Sequence, residues 1–181
     1  MRMMTSDQDL ARAAAGGDQD AFAVLLDRRY DSVFRLAFRL TGSKSDAEDL
    51  TQDICAALPA KLRGFKNQSQ FSTWLYRVTV NAAHDQRRRA ASHHRAKSGW
   101  GDWEINRRAT QQENADRADW LTESMCRLTP DLRDTLALLL DQELTHKDAA
   151  EILNVSEGTI SWRVSQAKKH LREMAQEEAG K

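Results

Sequence analysis

Apolar residues along this chain recur at spacings of three and four, and strict alternation is scarce. Within Ala21–Leu40, the residues Phe22, Leu25, Leu26, Val33, Leu36 and Leu40 form one stripe. Leu50, Ile54 and Leu58 repeat every fourth residue after an acidic start at Asp46. Phe71, Trp74, Leu75, Val78 and Ala82 share another helical face. Further on, Leu121, Met125 and Leu128 form a stripe, Leu132–Leu140 is strongly apolar, and Ile160, Val164, Ala167 and Leu171 line one side of the last segment. Only two prolines and eight glycines interrupt 181 residues, so the pattern predicts an all-α protein.

Punctuation sets the boundaries. Asp7–Ala15 is a first helix stopped by Gly16-Gly17, and Gly42 suits a left-handed cap after the second. Ser45 can cap the acidic helix, and Asp46, Glu48 and Asp49 suit the positive end of its dipole. Pro59 either kinks that helix or ends it near Leu58, since an interior proline costs about 3 kcal/mol. Residues 64–70, GFKNQSQ, read as a polar loop. Residues 90–119 are poor in aliphatics and read as a flexible linker, with Trp100 and Trp103 either docking on a partner or packing on their own domain.

In the C-terminal part, Thr129-Pro130 marks a helix start. Thr145 with Asp148 makes a variant capping box, Asn154 takes the turn where positive φ is needed, and Ser156 caps the following helix. Ala149, Ala150, Ile152 and Leu153 are small or apolar where two short helices cross. The expected fold is two helical domains joined by a flexible linker: residues 1–90, a linker at 91–119, and a helix-turn-helix domain at 120–176. Its second helix presents Thr159, Trp162, Arg163, Gln166 and Lys169 outward, the layout of a helix laid in the major groove. The bland counterpart is a helical hairpin with a solvated charged face.

Lys+Arg and Asp+Glu are equal at 27 each, so net charge does not announce a nucleic-acid partner. Segregation is more telling, with acid at Asp46–Asp53 and base at Arg87–Lys97 and Lys168–Arg172. Cys55 and Cys126 stand alone, neither a CxxC nor an HExxH pattern occurs, and a metal site is not expected. The opening residues lack an apolar run of signal-peptide length, and 136–140 is too short to span a bilayer. A cytoplasmic protein without membrane insertion is expected.

DAEDLTQDI at 46–54, FSTWLYRVTVNAAHDQRRR at 71–89 and LTHKDAAEILNVSEGTISWRVSQAKKHL at 144–171 resemble, in order and spacing, the extracytoplasmic-function sigma factors of bacterial RNA polymerase. The resemblance runs from about Asp9 to Leu171. It implies no catalysis and no cofactor, with core RNA polymerase, promoter DNA and a cognate anti-sigma factor as partners. Asp49, Gln52 and Asp53 would dock on polymerase. The 1–90 domain would recognise and melt the minus-ten element. Lys66, Asn67, Gln68 and Ser69 would supply the loop side, Arg77 and Asn81 the polar reading face, and Arg87, Arg88 and Arg89 the phosphate contacts. Trp74 has a strong competing role in the core.

Thr159, Ser161, Trp162, Arg163, Gln166 and Lys169 would read the minus-thirty-five element. Gly158–Ile160 and Arg163 keep the family pattern, while Ser161, Trp162 and Gln166 depart from it, which bears on base preference rather than on binding mode. Two other classes compete. A helix-turn-helix regulator that is not a polymerase subunit would not need the acidic and the aromatic-basic helices in tandem. A nuclease could use Asp46, Asp49 and Asp53 as metal ligands, but these lie on one helix with no paired histidine.

Overall fold

A computed structural model describes residues 6–97, 115–140 and 144–179. Among the described residues there are eight α-helices. These are α1 (Asp7–Ala15), α2 (Gln19–Thr41), α3 (Lys44–Leu62), α4 (Phe71–Lys97), α5 (Ala115–Arg127), α6 (Pro130–Leu139), α7 (His146–Leu153) and α8 (Glu157–Ala179). Trp100 and Trp103 lie outside the described residues.

Helices α1–α4 pack around Leu25, Leu36, Leu40, Leu62, Phe71 and Leu75, all essentially without solvent contact. Asp18 accepts from the Ala21 N–H at 2.9 Å to start α2, and Gly42, at φ 71°, ends it. That left-handed position also meets the second domain. A Cβ on Gly42 would stand 2.0 Å from Cys126 Sγ, so a side chain there would strain the backbone and push the Cys126 thiol aside.

The cap of α3 is Ser43, two residues before the expected Ser45: its Oγ accepts from the Asp46 N–H at 3.3 Å. The helix passes through Pro59 and ends one turn later, because Leu58 and Leu62 are both buried and hold that turn on the core. Helix α4 runs to Lys97, beyond the expected end of the domain near residue 90. It is buried on two sides. Phe71, Leu75 and Tyr76 are covered, and so are Thr79, Val80 and Ala83 further along. A single-stripe reading of 71–89 missed the second side, where Val80 lines a cleft with residues 150–155.

In that half, Met125, Leu128, Leu132, Leu138, Ile152, Ile160 and Ala167 form the core. Thr145 and Asp148 make the full reciprocal capping box. Asn154 takes φ 54° at the turn, and Ser156 Oγ accepts from the Thr159 N–H at 3.1 Å. The helix-turn-helix was therefore legible to the individual cap. The two helical halves are in contact, with α4 against α7 and α2 against both α5 and α6.

Candidate polymerase-docking and nucleic-acid interfaces

The buried face of α3 (Ala47, Leu50, Thr51, Ile54, Leu58 and Leu62) fixes what the opposite face offers. Thr51 is tolerated inside because its hydroxyl donates to the Ala47 carbonyl at 2.7 Å. Glu48, Asp49, Gln52 and Asp53 are then exposed together. Lys44 reaches Glu48 at 3.9 Å, leaving Asp49 and Asp53, one turn apart, facing solvent. Cys55, beside them, is half-buried, and burial pushes its thiol pKa up, away from the reactive thiolate range.

The loop at 64–70 follows directly. Its Phe65 turns inward against Phe71 and Trp74, with ring centroids at 5.8 and 5.0 Å, and Phe71 and Trp74 are 5.7 Å apart. Trp74 thus joins an aromatic cluster at the edge of the core. Lys66, Asn67 and Gln68 remain exposed, Ser69 is half-buried, and Asn67 adopts φ 58°.

Along α4, Arg77, Asn81, His84 and Arg87 point toward the C-terminal half. Arg77 Nη2 donates to the Glu151 carbonyl at 3.1 Å and to its carboxylate at 2.9 Å. Arg87 Nη2 donates to both oxygens of Asp134, at 2.9 and 3.1 Å, and His84 Nε2 lies 2.6 Å from the same carboxylate. Asp134 is only 3% exposed, so two cationic or hydrogen-bonding partners satisfy a carboxylate that burial would otherwise penalise. Arg87 Nη1 is buried with no hydrogen-bond partner. Asn81 is exposed and opens into a cleft of about 630 Å³ between α4 and residues 150–155. Arg88 pairs with Asp85, and Arg89 is exposed.

Sequence reasoning gave Arg77 and Arg87 roles toward DNA and missed the carboxylates they meet, Glu151 and Asp134. One signal was available. Asp134 interrupts the apolar run LRDTLALLL, where an acid stays only if paired.

On α8, Trp162 stands 60% exposed. Ser161 is exposed, with its Oγ 3.3 Å from His146 Nδ1, and Gln166 is half-buried. Arg163 departs from the outward placement expected of it. Its Nη2 lies 2.8 Å from Asp131 and its side chain is 14% exposed, because α6 passes under that part of the helix. Thr159 is half-buried, its hydroxyl 2.8 Å from Ser156 Oγ. Lys168, Lys169 and Arg172 are exposed further along, Lys169 reaching Glu173 at 3.9 Å.

Among the described residues, no three His, Cys, Asp or Glu side chains are grouped to hold a metal ion, and no helix is long and apolar enough to cross a membrane. An exposed acidic ridge, an aromatic loop leading into an arginine-bearing helix, and a capped helix-turn-helix make up the polar surfaces described here.

The same architecture is found in known proteins. A family described as Sigma-70 region 2 matches residues 25–93, and one described as Sigma-70, region 4 matches residues 118–171. The chain is 27% identical to the extracytoplasmic-function RNA polymerase sigma factor SigW of Bacillus subtilis, over 86% of this chain and 89% of that one. It is 29% identical to the corresponding factor SigM of Mycobacterium tuberculosis, over 92% and 83%. The structure superposes on the sigma factor RpoE, solved with the anti-sigma factor NepR from Bartonella quintana, with a TM-score of 0.72 and 26% identity, covering 86% of this chain and 96% of that one. With both regions matched in order and relatives matched over most of their length, this chain belongs to the extracytoplasmic-function sigma factors of the sigma-70 family.

Proposed function

We propose that this sigma factor binds core RNA polymerase through Asp49, Gln52 and Asp53, and that its two helical domains engage the two promoter elements. Residues 1–90 would hold the minus-ten element and assist melting, and residues 120–176 would read the minus-thirty-five element. The observation that carries this reading is the exposed pair Asp49 and Asp53, one turn apart on a helix whose other face is locked into the core. Carboxylates so placed suit a basic partner surface and are not needed for packing.

On the DNA side, Lys66, Asn67, Gln68 and Ser69 supply the loop, Arg77 and Asn81 the reading face, and Arg87, Arg88 and Arg89 the phosphate contacts. Aromatic and cationic groups together stabilise unpaired bases by about 1–3 kcal/mol per stacked base. Arg77 and Arg87 already carry carboxylate partners from the other domain, so their use on DNA requires the domains to part. On α8, Trp162, Gln166 and Ser161 face bases, Thr159 and Arg163 flank them, and Lys169 meets phosphate. An anti-sigma factor, as in the RpoE–NepR complex, is the natural restraint on such surfaces. The protein performs no chemistry of its own and works in the cytoplasm.

Run-off transcription tests the reading. Core polymerase plus this chain, on the DNA upstream of its own coding sequence, gives a transcript of defined length, and core polymerase alone gives none. A chain that binds promoter DNA but leaves core polymerase unprogrammed would overturn the assignment.

A further inference from the structure

Gln8, on α1, touches the 64–70 loop at two points and the first residue of α4 at a third. Its Oε1 accepts from the Phe71 N–H at 2.8 Å. Its Nε2 donates to the Ser69 carbonyl at 3.2 Å and also to Asn67 Oδ1. The amide orientation follows from its partners, since the Phe71 N–H needs an acceptor and the Ser69 carbonyl a donor. Phe71 is the first residue of α4, so its N–H has no acceptor within its own helix, and a side chain from a different helix satisfies it.

The two donated bonds act on the loop itself, at exposed Asn67 and half-buried Ser69. Asn67 sits at φ 58°, a left-handed conformation disfavoured for residues other than glycine. Gln8 holds its side chain by the amide oxygen and fixes the backbone two residues on. Helix α1 is itself well anchored. Asp7 pairs with Arg28 at 3.1 Å and with Arg29, and Leu10 and Ala11 are buried. Gln8 therefore belongs to a fixed element while the groups it holds lie in an irregular one. It also precedes the segment, 25–93, that matches sigma-70 region 2.

We propose that Gln8 is a positioning residue for promoter reading: it sets the conformation in which residues 66–69 present themselves to an unpaired base, and so tunes base preference without touching DNA. This rests on the reading of that loop as part of the minus-ten interface. Gln8→Glu separates the two duties, because it keeps an acceptor for the Phe71 N–H and removes both donated bonds. Gln8→Ala removes all three. Asn67→Gly removes the loop side chain while tolerating φ 58°.

Each full-length variant is assembled with core RNA polymerase and offered a pool of templates already melted across the start region. The pool carries the duplex upstream of the protein's own coding sequence and randomised non-template bases in the bubble. The expected result is a fall of roughly tenfold in base preference at one position for Asn67→Gly. Both Gln8 variants should lose preference at that same position, with core affinity unchanged. Gln8→Glu should keep a melting temperature closer to the parent than Gln8→Ala does. If Asn67→Gly loses the preference while both Gln8 variants keep it, Gln8 is only a helix cap and the inference fails. If Asn67→Gly keeps it too, the loop does not read a base, and the inference falls with its premise.

Discussion

Asp134 joins the two helical halves through Arg87 and His84, and its replacement is the sharpest test of how the proposed DNA face of α4 is held. The carboxylate is 4% exposed and accepts from Arg87 while lying against His84, whose side chains are 28% and 46% exposed. Removing one partner of a fully buried ion pair costs about 3–5 kcal/mol. Here Arg87 and His84 are partly in water, so screening reduces the coupling to about 1–2 kcal/mol. Every 1.4 kcal/mol is a factor of ten, so Asp134→Ala should lower the closed-to-open ratio by about tenfold.

The C-terminal domain itself should not suffer equally, because the carboxylate that was costly to bury is gone while Arg87, on α4, is left to reach solvent. Small-angle scattering should report a larger radius of gyration for Asp134→Ala. Binding to a fluorescent single-stranded oligonucleotide should tighten, by up to about tenfold. Asp134→Asn should fall between, since an amide oxygen still accepts from Arg87 but carries no charge. The gain should vanish when Arg87→Ala is added, because the freed guanidinium is the group that meets DNA. An unchanged radius and affinity in Asp134→Ala, or a gain that survives intact in the double variant, would refute this reasoning.

Three further outcomes follow from the same geometry. Reversing Asp49 and Asp53 to Lys should weaken core polymerase binding severalfold without altering the helical circular dichroism, since neither side chain is buried; unchanged affinity in a competition assay against the parent would remove them from the docking face. Gln166→Ala should cost roughly 1–3 kcal/mol at one base pair of the upstream element, whereas Lys169→Ala should weaken all sequences alike and lower the salt slope by about one; a promoter-variant library titrated at two salt concentrations separates the two signatures. Cys55, its thiol pKa raised by burial, should react slowly with a thiol reagent near neutral pH in the folded chain. Because the unfolded thiol ionises first, stability should fall as pH rises through the ordinary thiol range, and a Cys55→Ala chain should lack that component in pH-dependent urea melts.

Local signals were read well where a residue's role is set by its neighbours in sequence. Gly42 and Asn154 adopt the positive φ expected of them, and Thr145 with Asp148 closes a full capping box. The cap of α3 was displaced by two residues because Ser43 and Ser45 are equivalent by composition, and only the turn after Gly42 decides between them. What could not be read is the pairing of distant segments. Arg77 and Glu151, Arg87 and Asp134, and Gln8 and Asn67 are each far apart in the chain, and no periodicity connects them. Arg163 is the instructive case. Helical spacing placed it outward beside Trp162, but a long side chain near a helix crossing can fold back, and Asp131 on α6 supplies the charge that draws it there.

The balance of charge now has a structural meaning. Equal numbers of acidic and basic residues gave no hint of a polyanionic partner, yet three arginines on the candidate DNA faces each rest on a carboxylate of this chain: Arg77 on Glu151, Arg87 on Asp134 and Arg163 on Asp131. A carboxylate presents the same paired oxygens to a guanidinium that a phosphate does, so these acids occupy the geometry that DNA would take. Two of the three pairs join the domains. If Arg77 and Arg87 meet the non-template strand as proposed, that contact competes with interdomain closure for the same donors, and a partner that separates the domains frees them. The proposed docking pair Asp49 and Asp53 lies on a face that the closed arrangement leaves in solvent. On that proposal polymerase would be met first and the paired arginines released afterwards, because the acids are exposed while the arginines are paired.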